Sequence, residues 1–353
     1  MFHIWLDDKK LHVPDSREFR KLSAAELDTE LNKAGTLNIK IPPVHILYNS
    51  ITNLKNCITV YDDDDMIFKG RVIKQSADYK NLKTVTAEGE FAYFNDSVFQ
   101  PSKIGEYNTA QLLPEIINSH NKQVDECRQF QVGNIEPYVF CVTSLKIYNS
   151  MRFLQDEVIK STGGYFSVRY EKDVRFLDFS LLPGVEDTST KIEFGVNLLD
   201  INKYIDSTAL YTCIVPYGET DKNTGKPLDI TSVNAGVNYV ENAAAVAEFG
   251  RIFKPVEFKG FTDPEMLYSE AIKFANSVVA EAITLDLTAI EMRQIDFQNP
   301  YGVFKQGNYY KVISKPHGVN EFFLCSKKKT NLFLPENNKV QLGHTRKRLT
   351  DFI

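Results

Sequence analysis

The first hundred residues alternate apolar and polar side chains in short runs, a pattern that predicts β-strands. In the run 37–41, Leu37, Ile39 and Ile41 fall on one face. The two prolines that follow end this strand, because proline cannot donate to a β-ladder. Residues 23–33 fit a short helix or a strand equally well. This part of the chain is therefore predicted to be mostly β.

A β-hairpin is predicted around the glycine-containing run 68–72. Its turn lies at residues 78–81, and its second strand is the threonine- and valine-rich run 82–87. The segment 88–97 is predicted to end this strand, which the polar residues 95–97 close. The hairpin contains no obvious catalytic group, and this indicates a role in holding shape.

Helical periodicity begins at Asn108, which fits the N-cap position. The apolar face of this predicted helix consists of Leu112, Leu113, Ile116 and Ile117. Pro114 is placed near the first turn, where its missing N–H costs least. A second helix is predicted from Thr143 or Ser144 to Gly163, because glycine commonly ends helices.

The rest of the chain alternates between predicted strands and helices. A β-hairpin at 165–179 precedes a loop at 183–190, a short helix at 240–249 ends at Gly250, and a longer helix begins at Pro264. The core stripe of the longer helix is Leu267, Ala271, Phe274 and Val278. Further strands are predicted at 204–217, 284–289, 309–313, 321–326 and 340–343.

This order of elements predicts an α+β, β-rich multidomain protein in which a β-domain is interrupted by an α+β insertion. The predicted division is an N-terminal β-domain at 1–104, a helical α+β domain at 105–192 and about 236–283, a second β-domain at 193–235 and about 284–345, and a tail at 346–353.

Composition and charge exclude several function classes. The 353 residues carry a net charge of −5, which does not support a basic surface for nucleic acid. No apolar run approaches the length of a membrane span, and the N-terminus lacks the pattern of a signal peptide. Five scattered cysteines without a CxxC pair predict buried thiols in a reducing cytoplasm. The 24 Phe and 17 Tyr favour strands and large contact surfaces.

Candidate metal and catalytic groups are sparse. The run Asp62, Asp63, Asp64 and Asp65 lacks the alternate spacing and the glycine of a calcium loop, so it predicts a solvated turn. The six histidines show no HExxH spacing, and His120 is predicted to act structurally at a helix end. We therefore predict no catalytic, cofactor-binding or metal-binding residue, although paired carboxylates for glycoside cleavage stay open from the sequence.

Other motifs point the same way. The chain has no GxSxG nucleophile elbow, and residues 162–165 lack the lysine of a phosphate-binding loop. The basic runs 327–329 and 346–348 are predicted to be solvated, the first as lysines on an edge strand. Nucleic-acid binding by these runs is the alternative.

Several stretches together resemble a known family. They are, in chain order, residues 37–48, 68–72, 88–97 and 117–124, with a weaker match at 340–343 and 349–351. This pattern resembles the tail-associated, Tal-type baseplate hub proteins of long-tailed bacteriophages and prophages, also called minor tail structural proteins. It spans most of the chain and is strongest from about residue 36 to 135.

The resemblance implies a structural virion protein related to the contractile-tail baseplate hub. Two similar β-barrel domains per chain would alternate around the three-fold axis of a homotrimer at the tail tip. This ring would dock on the distal tail protein, lie next to the tape-measure protein and let DNA pass through without specific binding. Such a protein is made in the cytoplasm of the bacterial host.

The resemblance also bears on enzymatic activity. In many relatives a hydrolase or a receptor-binding region follows the hub, whereas this sequence ends at Ile353. We therefore expect no enzyme activity and no cofactor. The alternatives are a tail-associated cell-wall hydrolase (an endopeptidase) and a receptor-binding tail protein.

Overall fold

A computed structural model of the chain describes residues 2–13, 20–142, 144–172, 174–205, 210–221, 224–258, 260–280, 283–289 and 303–345. Four hydrophobic cores organise these residues into two β units, an α+β unit between them in sequence, and an outer α/β unit. The predicted β-rich, α+β class is confirmed. The described strands form no closed barrel, and the domain boundaries stay a prediction.

The first β unit contains seven antiparallel strands. They are β1 (Phe2–Leu6), β2 (Lys9–His12), β3 (Ala24–Glu30), β4 (Thr36–Ile41), β5 (Cys57–Asp62), β6 (Asp65–Ala77) and β7 (Lys83–Gly89). Their order in the sheet is β3-β4-β7-β6-β5-β1-β2. Alternation in β4 buries Leu37, Ile39 and Ile41 completely, as predicted. The ambiguous segment 23–33 contains the strand β3 and no helix, because β3 pairs with β4 and buries Ala25 and Leu27.

Both turns predicted in this unit are present. The aspartate run turns between β5 and β6, with Asp63 at a positive φ of 53°. In the turn before β7, the Asp78 carboxylate accepts hydrogen bonds from the backbone N–H groups of Lys80 and Leu82. Asn81 adopts a φ of 58°, which asparagine tolerates better than most residues.

The segment after β7 differs from the prediction. The strand ends at Gly89, and Glu90–Asp96 forms a 3₁₀ helix rather than a polar strand end. Phe91 and Phe94, three residues apart, lie on the same side of this helix and are both buried. Burial of the aromatic side chains in the next core therefore decides the backbone conformation here.

The α+β unit follows. Its elements are β8 (Val98–Phe99), β9 (Gly105–Asn108), α1 (Thr109–Asn121), a 3₁₀ turn (Glu126–Arg128), β10 (Gln131–Ile135), β11 (Val139–Val142), β12 (Tyr148–Asn149), α2 (Ser150–Phe153), a π-helical turn (Leu154–Ile159), α3 (Lys160–Thr162), β13 (Tyr165–Glu171) and β14 (Val174–Ser180). The N-cap is confirmed, since the Asn108 side chain accepts from the N–H of Ala110. Pro114 is the sixth residue of α1, so its placement near the first turn was wrong.

The second predicted helix starts later than expected. Thr143 lies outside the described residues, and the helix begins at Ser150 with Asn149 as its N-cap. Ile147, predicted to be in the core stripe, is 67% exposed, because it precedes the helix. The predicted end is confirmed by Gly163, whose φ of 66° is left-handed.

The remaining elements form the second β unit and the outer unit. They are β15 (Glu186–Glu193), β16 (Leu198–Ile205), β17 (Cys213–Tyr217), β18 (Val240–Glu241), α4 (Ala243–Phe249), β19 (Phe253–Glu257), α5 (Pro264–Ala280), β20 (Ile283–Ala289), β21 (Tyr309–Ser314), β22 (Val319–Asn331) and β23 (Lys339–Thr345). Short 3₁₀ turns lie at Lys315–His317 and Pro335–Asn337. The loop predicted at 183–190 was wrong over its second half, because β15 pairs in parallel with β21.

One long strand connects the two β units. The first part of β22 pairs with β21, and its last residues, 327–331, pair antiparallel with β3. The second unit runs β15-β21-β22-β23-β20-β16, so the described strands of both units belong to one thirteen-stranded sheet. Backbone hydrogen bonds along β22 thereby hold the two β units together.

In the outer unit, α5 packs on the sheet β18-β17-β19, and α4 follows β18. The α5 start at Pro264 is confirmed, and Leu267 and Ala271 are buried as predicted. Phe274 is half-buried and packs against the same core, and its neighbour Ala275 is buried there as well. The side chain of Val278 lies outside those described.

No helix in the described parts of the chain combines the length and the apolarity that crossing a membrane requires.

Candidate functional site

A buried ion pair lies where the first β unit meets the α+β unit. Arg175 of β14 and Glu90 of the 3₁₀ helix have side chains only 9% and 3% exposed. Nε of Arg175 donates to Oε2 of Glu90 over 2.9 Å, and its Nη2 donates to the other carboxylate oxygen. Nη1 donates to the carbonyl oxygen of Gln129 over 2.9 Å. The guanidinium therefore has several acceptors, as a buried charge requires.

A second arginine lies, like Arg175, close to the aromatic ring of Tyr93. The guanidinium carbons of Arg71 and Arg175 lie 5.1 and 5.0 Å from the centroid of the Tyr93 ring. Arg71 donates to Glu88 from Nε over 2.8 Å and to Asp96 from Nη2 over 3.0 Å. We call these six residues, Arg71, Glu88, Glu90, Tyr93, Asp96 and Arg175, the arginine junction.

The pKa values in the junction follow from burial and charge. Burial raises the pKa of Glu90, and the hydrogen bonds and charge of Arg175 oppose this rise. Burial also acts to raise the pKa of Asp96, but the hydrogen bonds and charges of Arg71 and Arg128 hold it below its ordinary value. Burial raises the pKa of the Tyr93 hydroxyl above its ordinary range. Each carboxylate has an arginine partner, so the arrangement fits a structural clamp.

His120 is buried, as its predicted structural role requires. Its Nδ1 lies 2.8 Å from Oγ of Ser97, and its Nε2 lies 3.1 Å from the carbonyl oxygen of Arg128. A serine–histidine hydrogen bond is the first requirement of a nucleophile–base pair. Here Ser97 is 3% exposed, His120 is fully buried, and the Ser97 hydroxyl also contacts Ser150. Burial lowers the pKa of His120. The geometry supports a core hydrogen-bond chain.

The other metal and cysteine candidates do not come together. Among the residues that the structure describes, no group of three or more His, Cys, Asp or Glu side chains could hold a metal ion. Cys213 and Cys325 are buried as predicted, whereas Cys127 is exposed. Burial raises the pKa of the Cys57 and Cys141 thiols to about 11, so neither is an activated nucleophile.

The lysine run 327–329 was wrongly predicted to lie on an edge strand. β22 is paired on both sides there, with β3 and with β23. Nζ of Lys329 lies 3.0 Å from Oε2 of Glu26, and Nζ of Lys327 lies 3.5 Å from Oδ1 of Asp28. Nζ of Lys328 donates to the carbonyl oxygen of Phe304. These lysines pair with the acidic strand β3 and join the two β units. The run 346–348 lies outside the described residues.

Two buried histidines support the connection between β2 and β3. Nδ1 of His12 accepts from the N–H of Leu22, and Nε2 of His45 lies 2.8 Å from the carbonyl oxygen of Leu11. Burial, followed by the charges of His3, Lys21 and His45, lowers the pKa of His12 to about 4. Burial likewise lowers the pKa of His45. Both side chains are therefore neutral in the folded protein near neutral pH.

We expect acid to destabilise the first β unit through His12. Between about pH 6.5 and about pH 4, His12 is protonated in the unfolded chain but stays neutral in the folded chain. The free energy of unfolding therefore falls as the pH falls through this window. Urea unfolding at about pH 7 and about pH 5 measures this dependence. His12→Gln reduces it, whereas the exposed His317→Gln serves as the matched control. An equal pH dependence in both variants would contradict this assignment.

The sequence did not reveal the arginine junction. Arg175 is 85 positions away from Glu90, and nothing near either residue indicates the partner. The sequence offered one local indication of a charged site. Acidic residues at 88, 90 and 96 lie in a segment otherwise rich in aromatic residues, and Arg71 precedes this segment in the chain.

This chain is similar to known proteins in part of its sequence and in its fold. Residues 186–353 match the family described as "Prophage endopeptidase tail". The 43 kDa tail protein of prophage MuSo2 from Shewanella oneidensis has a similar structure, with a TM-score of 0.63 at 12% identity over 100% of this chain and 99% of that chain. The prophage tail protein gp18 of Listeria monocytogenes gives a TM-score of 0.60 at 16% identity over 99% and 96%.

A third structure is the Escherichia coli c3393 protein, a component of the type VI secretion system described as structurally similar to the T4 tail proteins gp27 and gp5. It gives a TM-score of 0.51 at 10% identity over 98% of this chain and 77% of that chain. No curated protein matches the sequence. The resemblance to prophage tail and baseplate hub proteins predicted from the sequence is confirmed.

Proposed function

We propose that this chain, which has the fold of prophage tail proteins, is a non-enzymatic baseplate hub at the tail tip. Three copies form a ring that docks on the distal tail protein and surrounds the DNA channel, next to the tape-measure protein. The observation that carries the proposal is the structural match over nearly the whole chain to tail proteins, and to a relative described as similar to T4 tail proteins.

The two β units support a ring built from repeated domains. β15 and β16, at opposite ends of the second unit's strand order, are consecutive in sequence and meet at a bridge between Phe194 and Leu198. In the first unit, β2 and β3 are the end strands, and the Leu22 N–H donates to His12. In each unit the two end strands therefore lie near each other, which supports the proposal of two barrel-like domains in one chain.

The proposed domains follow the sequence prediction, 1–104, 105–192 with about 236–283, 193–235 with about 284–345, and the tail, except that β15 goes with the second β unit and β17 with the outer unit. Their functional roles follow from the ring. The β-domains form its body, and the helical parts complete a cup around the channel. The net charge of −5 suits a channel through which DNA slides, because a basic lining would hold DNA by counterion release.

The oligomeric state tests this proposal. We expect multi-angle light scattering of the concentrated protein to give the mass of three chains, about three times 40.3 kDa. A single chain that stays monomeric at every concentration and also with its distal tail protein would contradict the proposed hub.

A cell-wall hydrolase is the second candidate, because the name of the matching family includes an endopeptidase. Incubation with purified peptidoglycan distinguishes the two functions. We expect no release of soluble fragments above a heat-denatured control. Turnover that persists after rigorous purification would favour the hydrolase.

A further inference from the structure

The outer unit contains an open groove of about 810 Å³ that the proposed hub function does not use. It lies between α5 and the chain that leads into α4. Its volume is in the range of about 300–1,000 Å³ that is typical of small-molecule sites. The side chains that line the groove determine which kind of ligand it can bind.

One wall is a single face of α5. Tyr268, Ile272 and Asn276 line the groove and are spaced four residues apart, so they form one ridge along the helix. Tyr239 lines the groove from the chain before β18, and its ring packs edge-on against Phe253 at 5.1 Å. Two tyrosines, one of them held by an aromatic neighbour, therefore belong to the lining.

The lining also carries hydrogen-bonding groups with unused capacity. Nδ2 of Asn242 donates to Oδ1 of Asn276 over 3.0 Å, and Oδ1 of Asn242 caps α4 through the N–H of Ala245. This leaves the amide nitrogen of Asn276 as a donor. Within the described residues, this nitrogen and the hydroxyls of Tyr239 and Tyr268 donate to no protein atom. Planar amides and phenol hydroxyls can both donate and accept, as a ligand rich in hydroxyl groups requires.

The charge of the groove argues against an anionic ligand. Its lining, all within the described residues, contains no lysine or arginine. Its one carboxylate, that of Glu241, pairs with Arg251 over 3.1 Å. A phosphate, a nucleic acid or an acidic polysaccharide would find no cation here. A purely apolar ligand would leave the asparagine amides desolvated.

We propose that this groove binds a neutral oligosaccharide of the bacterial cell surface. A tyrosine ring has a flat apolar face that can cover the C–H side of a sugar ring, and the Asn276 amide and the tyrosine hydroxyls can bond to the hydroxyl groups of the sugar. This site goes beyond the hub role. It does not depend on trimer formation, so its failure and the failure of the hub assignment are distinguishable.

Isothermal titration calorimetry of the full chain with chitotetraose, cellotetraose and maltotetraose tests the site. We expect saturable binding of at least one of these probes. Tyr268→Ala and Asn276→Ala should each weaken it about ten-fold or more. The matched control is Tyr79→Ala, since Tyr79 is fully exposed on a turn of the first β unit. It should leave the affinity unchanged.

A check of folding and the pattern of binding together decide the outcome. Tyr268 and Asn276 are not buried, so circular dichroism should show that both variants fold. Absence of saturable binding by all three probes would overturn the proposal. So would binding that Tyr268→Ala does not weaken, or heparin binding as tight as that of the neutral probes.

Discussion

Replacing Arg175 by methionine is expected to destabilise the protein by about 3–5 kcal/mol, the range for breaking a buried ion pair. The substitution leaves the Glu90 carboxylate without its main partner in a site that water does not reach. It also removes the cation from the face of Tyr93. Thermal and urea unfolding followed by circular dichroism measure the loss.

Two further variants sharpen this test. Arg251→Met removes an arginine from a solvent-exposed pair with Glu241, so it should destabilise the protein far less than Arg175→Met. The double variant Arg175→Met with Glu90→Met leaves no uncompensated buried charge, so it should recover much of the lost stability. If Arg175→Met costs no more than Arg251→Met, the buried Arg175–Glu90 pair does not stabilise the junction.

Replacing Gly70 by alanine is the second large effect, expected to cost about 3 kcal/mol. β6 and β7 approach so closely here that a Cβ on Gly70 would overlap the carbonyl oxygen of Glu88 and lie 2.7 Å from its carbon. It would also lie 2.8 Å from the Phe68 ring. Because the obstacle is backbone, the two strands must separate, and this also displaces Arg71 from Glu88.

The matched control is Gly343→Ala in β23. A Cβ there would lie 3.6 Å from Oγ of Ser326, an ordinary contact, so the change should be within about 0.5 kcal/mol. Fluorescence of Trp5 in β1 follows unfolding of the first β unit directly. Equal stability of the two alanine variants would show that the close approach of β6 and β7 at Gly70 tolerates a side chain.

Local patterns predicted the elements whose burial is itself local. Alternation in β4 and the cap and apolar stripe of α1 were both read correctly, because each buried face repeats within its own segment. Gly163 was recognised as a helix end for the same reason: its left-handed φ is a local requirement.

Elements that depend on distant partners were not predictable. β15 is rich in Thr and Ser and resembles a loop, yet it becomes a strand by pairing with β21 more than a hundred residues later. The lysines of β22 were predicted to lie on a solvated edge strand. Their acidic partners lie on β3, some 300 residues earlier, so the local sequence does not indicate the pairing. The 3₁₀ helix Glu90–Asp96 likewise depends on a core whose other buried residues come later in the chain.

The contacts between units are consistent with the proposed hub role. In the arginine junction, Arg71 of β6 pairs with Asp96 of the 3₁₀ helix that packs in the core of the α+β unit, and β22 joins the two β units through backbone pairing. If the chain forms the proposed ring at the end of a tail, it would transmit force between neighbouring proteins, and rigid internal junctions would suit that role. The groove on the outer unit leaves these junctions untouched.

The most direct test of the hub assignment is the mass of its complex with the distal tail protein from the same phage. Sedimentation or native mass spectrometry of the reconstituted mixture should show three copies of this chain on one ring of the partner. A mixture in which this chain stays separate from the ring, or binds it with any other number of copies, would contradict the account.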